Sequence, residues 1–234
     1  MLLFAGSAQA QAVDHSKLTR ILSHAVDESG AVDYLGIIQH RNLLDEYIVS
    51  LRAIDPKGLP SNAEKLAYWI NFYNALVIES VIGRWPVKSA LNDFKGNAFF
   101  EQWKHATPIG DLTLNQIEHD ILRKQFEEPR VHFAINCASK GCPQLQQKVF
   151  TGENLEGMLE QATAAFVNDP AKNRFDFKNG KAEVSSLFNW YADDFKKAGG
   201  VPAFLAHYSQ APEKAQIPKL KLSFMEWDWN LNGK

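Results

Sequence analysis

The sequence predicts an α+β fold, mainly helical, with a small and mostly antiparallel sheet. Several stretches repeat apolar residues at helical spacing, and short alternating stretches near 105–113 and 174–184 flank turn residues as hairpins do. Between them Val131-His132-Phe133-Ala134-Ile135-Asn136-Cys137 is a nearly continuous apolar run, the pattern of a central strand buried on both faces. It opens into Ala138-Ser139-Lys140-Gly141-Cys142-Pro143, so both cysteines of the chain lie at its end. A buried element that gives way to a cysteine-bearing loop is a place where a rigid scaffold presents a reactive group.

The 234 residues suit a globular domain over 11–234, with a helical N-terminal part at about 14–60. A net charge of −2 gives no overall pull towards nucleic acid, and no apolar run is long enough for a transmembrane segment. Met1 to Ala10 reads as the remnant of a secretory signal peptide, with Ala8-Gln9-Ala10 as a small-x-small cleavage site. Cleavage near Ala10 would leave a periplasmic or secreted protein, where disulfides persist.

Taken in order, Asp14 to about Glu28 places Leu18, Ile21, Leu22 and Ala25 on one helical stripe that Ser29-Gly30 ends. Val32-Asp33-Tyr34 is a short extended piece. A second helix carries Leu43, Leu44, Tyr47, Ile48 and Leu51 up to the breaker Asp55-Pro56-Lys57-Gly58. His15, His24 and His40 sit in polar context and are expected at the surface. Ser61 and Glu64 have capping-box spacing ahead of Leu66 to Ile78, a helix apolar nearly all round and therefore central to the core. Asn71 and Asn74 would be buried there, either satisfying backbone groups or lining a cleft.

Thr113 and Gln116 form a second capping-box pattern, opening the helix Leu114 to Arg123. At about 100° per residue, Glu118 falls within the apolar arc of that helix and His119 at its flank. A carboxylate there is paired, with Arg123 or Arg130 as donors, or lines a wet cleft. Asn154 to Val167 is an amphipathic helix. Asn179-Gly180 suggests a type I′ hairpin turn, and Ser185 or Ser186 caps a helix in which Leu187, Trp190, Tyr191 and Phe195 share a face. Asp193 and Asp194 fall away from that face into solvent. The chain ends in a half-buried strand at Lys219 to Phe224, followed by Trp227-Asp228-Trp229-Asn230-Leu231-Asn232.

A cysteine nucleophile needs a base and a group to orient that base. If 131–137 is a strand, His132 and Cys137 are roughly 17 Å apart on opposite faces. His132 then pairs more naturally with Asn136, and His119 becomes the base for Cys137, oriented by Glu118 or Asn136. This is the logic of papain-like and transglutaminase-like hydrolases and acyltransferases, and a fold of that type is the corresponding expectation. Two bland readings stand beside it: a Cys137–Cys142 disulfide closing a small loop, or Cys137 as a small buried hydrophobe. No cofactor is expected, and Cys-x4-Cys with one or two histidines lacks the usual zinc spacing.

The segments Tyr68 to Leu76, Leu114 to Leu122 and Arg130 to Ser139 resemble the family called domain of unknown function 547. Val32-Asp33-Tyr34, Leu187 to Tyr191 and Trp227 to Asn232 fit the resemblance as well. It implies that Glu118, His119, His132, Asn136 and Cys137 are polar signature positions, and that the protein is of a bacterial exported kind. It carries no established reaction.

The functional expectation is therefore a cysteine-dependent hydrolase or acyltransferase acting on a peptide or amide bond in the cell envelope. Its site would combine Cys137, His119 and Glu118, with Asn136 and His132 nearby. The alternative is a non-catalytic binding or envelope-structural domain stapled by Cys137–Cys142. A third class is thiol–disulfide exchange, although the spacing is not Cys-x-x-Cys. A peptide or small-molecule ligand is the expected partner.

Overall fold

Helices dominate the N-terminal part of the computed structural model, which describes residues 13–234; the signal-like stretch lies outside them. α1 (Ser16–Ala25) buries Leu18, Ile21, Leu22 and Ala25, and α3 (Arg41–Arg52) buries Leu44, Tyr47, Ile48 and Leu51. Between them the Asp33 carboxylate accepts the Gly36 amide at 2.8 Å and starts α2 (Tyr34–Gln39). α4 (Asn62–Ile82) is buried on almost every side, as its unbroken apolar pattern predicts. Ser61 caps it by accepting the Glu64 amide at 3.1 Å, but the Glu64 carboxylate accepts Gly152 N–H instead of closing a box.

His15 departs from expectation. It is buried against α3 and α4, with Nδ1 2.6 Å from the Tyr47 hydroxyl and the ring beside Asn71, and burial pushes its imidazole down to about 4. His24 and His40 are exposed.

α5 (Ala98–Glu101) precedes a hairpin of β1 (Lys104–Thr107) and β2 (Gly110–Thr113). The Thr113–Gln116 capping box is complete and opens α6 (Leu114–Gln116), which widens into a π-helical turn at Ile117–Arg123 before α7 (Lys124–Phe126). After α8 (Leu155–Val167), β3 (Asn173–Asp176) pairs antiparallel with β4 (Lys181–Ser185). The loop between them has four residues, 177–180, with only Gly180 in the left-handed region, so it is not the type I′ turn that Asn-Gly suggests. β5 (Lys221–Met225) completes this sheet by pairing parallel to β4.

The expected helix beyond Ser185 is broken. α9 (Leu187–Trp190) stops at Tyr191, the chain continues as a 3-10 turn over Ala192–Ala198, and α10 (Val201–Tyr208) follows. That break rotates Asp194 inward, contrary to the solvated position expected of it.

The central strand expected at 131–137 is absent. Pro129–Phe133 is a 3-10 helix started by Pro129 and by Glu128, whose carboxylate accepts the Arg130 amide at 3.0 Å; the chain beyond Ala134 is irregular. Yet the segment is buried on both sides. Val131, Ala134 and Ile135 join the apolar cluster around α4, whereas Phe133 joins a second cluster with Phe166, Phe188, Phe195 and Phe204. Two-sided burial explains the continuous apolar run, and a run of that length does not distinguish a strand from a buried turn.

Candidate functional site

The irregular segment is held by amide side chains in place of strand neighbours. On α4, Asn74 donates to the Ala134 carbonyl at 2.9 Å and accepts the Asn136 amide at 2.9 Å. One turn earlier Asn71 donates to the Phe150 carbonyl at 2.6 Å and accepts its N–H at 3.0 Å. Asn136 donates to the Pro143 carbonyl at 2.8 Å and accepts from Ala138 N–H and Asn232 Nδ2 at 2.8 and 3.1 Å. All three amides are buried and occupied in this way. Asn71 and Asn74 are part of the scaffold and do not line the cleft.

Beyond Asn136 the cysteine loop turns tightly, with Ala138 at φ 61°, and Cys137 is joined to Cys142 as a disulfide. The C-terminal tail lies along this loop. Lys140 N–H and Gly141 N–H donate to Asn230 and Asp228 carbonyls at 2.8 Å each, and Trp227 Nε1 donates to Ser139 Oγ at 2.9 Å. A Cβ on Gly141 would come within 2.5 Å of the Trp227 indole, so this close approach requires glycine.

Cys137, Cys142 and His132 line one cleft of about 250 Å³, together with Glu118, Tyr73, Tyr191 and an aromatic wall of Phe100, Trp190, Trp227 and Trp229. Trp190 lies 4.8 Å from Trp227 and 6.1 Å from Trp229, ring centre to ring centre. Trp227 and Trp229 reach the same cleft because side chains two apart in an extended chain share a face.

Among the described residues the one histidine that lines this cleft with the cysteines is His132, and the strand argument that set it aside fails with the strand. Its Nε2–H donates to Asp194 Oδ2 at 2.7 Å, and its ring stacks on Tyr191 with centroids 4.0 Å apart. Nδ1 has no protein hydrogen-bond partner among the described residues. Asp194 is also gripped by Arg123, through Nε at 2.6 Å and Nη2 at 2.8 Å. Burial raises the Asp194 carboxyl, but the hydrogen bonds from His132 and Arg123 outweigh that and hold it well below the usual carboxylate range. His132 makes no contact with Asn136 of the kind expected.

His119 is not among the residues that line the cleft. Arg123 Nη1 donates to its Nδ1 at 2.5 Å, and burial, then the guanidinium, lowers its basicity. It does not serve Cys137 in this structure. Glu118 does line the cleft, from the π-helical turn, a distortion common at functional sites. Neither expected arginine pairs with it: Arg123 holds Asp194, and Arg130 holds Glu128 and Glu156. Instead Tyr191 donates to its Oε1 at 2.5 Å and Tyr73 to its Oε2 at 3.4 Å. Burial and then the Glu118 charge push both phenols up, which keeps them protonated as donors.

Residues 56–167 match the model of a family described as protein of unknown function, DUF547. That segment belongs to this family. The DUF547 segment contains α4, Glu118, His119, His132, Asn136 and both cysteines. Tyr191 and the tail tryptophans, which complete the cleft, and Asp194, which holds His132, lie outside the matched residues. No curated protein and no solved structure matches the chain. Among the described residues no helix is long and apolar enough to cross a membrane.

Sequence reasoning missed Asp194, Tyr73, Tyr191 and the tryptophan wall. The Trp-x-Trp spacing of the tail was a readable signal for a shared face. Asp194 had none, because its direction depends on where the helix breaks.

Proposed function

We propose that the cleft is an acyl-transfer or amide-hydrolysing site of the cell envelope in which reduced Cys137 is the nucleophile. His132 is its base and Asp194 orients the imidazole. The observation that carries this reading is the 2.7 Å His132–Asp194 hydrogen bond beside a cleft that also contains Cys137. A carboxylate on Nε2 fixes the tautomer and leaves Nδ1 to accept the thiol proton.

The disulfide makes the present state a closed one. A dithiol reductant supplies two electrons and two protons to Cys137–Cys142 and leaves as its own disulfide. The Cys137 proton then passes to His132 Nδ1, and the thiolate attacks the substrate carbonyl. The amine leaves with that proton, and water or an acceptor amine, deprotonated by His132, releases the acyl group from the thioester. The disulfide also supports an exported location, since such bonds persist in oxidising compartments.

Alkylation of Cys137 with iodoacetamide, followed against pH after reduction, tests this. An activated thiolate is expected to react at pH 6 about a hundredfold faster than an ordinary thiol, and to lose that advantage in His132→Ala. A reduced Cys137 that titrates as a free thiol, indifferent to His132, overturns the reading. It would leave the second one, a non-catalytic binding cleft stapled by the disulfide, which the half-exposed aromatic wall favours.

A further inference from the structure

We infer that the cleft recognises a primary ammonium group carried on a short alkyl chain. Glu118 is the one carboxylate among the described lining residues, and no lysine or arginine lines the cleft. No cationic side chain hydrogen-bonds to it within the described residues; its oxygens accept only from two phenol hydroxyls, and Arg123 and His119 act on it from outside the lining. An anionic ligand would face the Glu118 carboxylate with no lysine or arginine in the lining, whereas a cation would find both that carboxylate and tryptophan faces, the surfaces that attract organic cations most strongly.

A second observation selects an ammonium that carries N–H groups. Asn97 lines the same cleft in a left-handed backbone conformation, φ 54°. Its Nδ2 donates to Glu101 at 2.7 Å, but its Oδ1 is buried without a hydrogen-bond partner. That oxygen is closed to solvent, so a turn of the Asn97 amide into the cleft is needed for it to accept a ligand N–H, and the turn relieves a costly unsatisfied acceptor. Cys137 and His132 lie in the same cleft, so in the acyl-transfer reading the ammonium belongs to the substrate. The inference does not depend on thiol chemistry.

The test therefore uses the disulfide-closed protein, where failure of the nucleophile reading has no effect. Tryptophan emission would be titrated with n-butylammonium, n-butyltrimethylammonium and 1-butanol. Butylammonium is expected to bind about tenfold more tightly than butanol, with the trimethyl compound between them. Glu118→Gln should remove the advantage of charge, and Asn97→Gly, suited to the same backbone, should close the gap between the two cations. Trp190 is 48% exposed, so Trp190→Leu is expected to fold and to weaken both cations several-fold more than butanol. Butanol binding as well as butylammonium, a charge preference that survives Glu118→Gln, or no saturable change with any probe would each overturn the inference.

Discussion

Two sets of polar side chains flank the segment 131–137, and they differ in what they hold. On the α4 side Asn71, Asn74 and Asn136 spend most of their hydrogen bonds on backbone groups that no strand or helix satisfies. On the cleft side Glu118, His132 and Asp194 are held mainly by other side chains, tyrosines and an arginine, next to open space. An amide locked to backbone on both its atoms can only fix shape. A histidine with one nitrogen on a carboxylate and the other free can move a proton. Burial alone did not separate the two sets, because His132 is as buried as the asparagines.

The largest expected effect of breaking that division lies on the closed side. Asn74→Ala leaves the Asn136 N–H and the Ala134 carbonyl without partners, and each such group costs roughly 1–3 kcal/mol. We expect a loss of about 4 kcal/mol in urea unfolding. If the loss is below about 1 kcal/mol, the segment is held by packing and the contrast between the two sides fails.

The next effect also belongs to the closed side and depends on pH. His15 is kept neutral by burial, with a folded value of about 4 against 6.5 in the open chain. Between those values the unfolded chain binds the proton and the folded one does not, so stability falls as pH drops from 6.5 towards 4 and levels off below. The full change is about 3 kcal/mol. Unfolding curves across that range should show the slope in the wild type and lose it in His15→Asn.

On the open side, Asp194→Asn is expected to slow reduced Cys137 alkylation at pH 6 about tenfold, since the imidazole loses the carboxylate that orients it. Its melting temperature should move much less than that of Asn74→Ala. The reverse pattern would make the His132–Asp194 pair a structural tie.

These contrasts mark how far the sequence could be read. Helix α4, the Thr113 capping box and both hairpins follow from local periodicity and turn chemistry, and so did the burial of 131–137. The conformation of that segment did not, because continuous apolar character reports two-sided burial whichever backbone produces it. The error propagated. With a strand assumed, His132 and Cys137 fall on opposite faces and His119 becomes the expected base, although His119 is tied to Arg123. Glu118 was legible because a carboxylate in an apolar arc demands an explanation. Its tyrosine partners were not, since Tyr191 comes from an element 73 residues away.

The last effect returns to Asp194, now as a titrating group. Its folded value lies below its ordinary 3.8 because the bonds from His132 and Arg123 outweigh burial. Its stabilising contribution is therefore complete above 3.8 and is lost as pH falls from there towards the folded value. That window lies below the one assigned to His15, so acid titration separates the two sides of the segment. Asp194→Asn should flatten the stability curve below pH 3.8 and leave the slope between 6.5 and about 4 untouched. A variant that alters the upper window instead would mean that the cleft and the His15 core titrate as one unit.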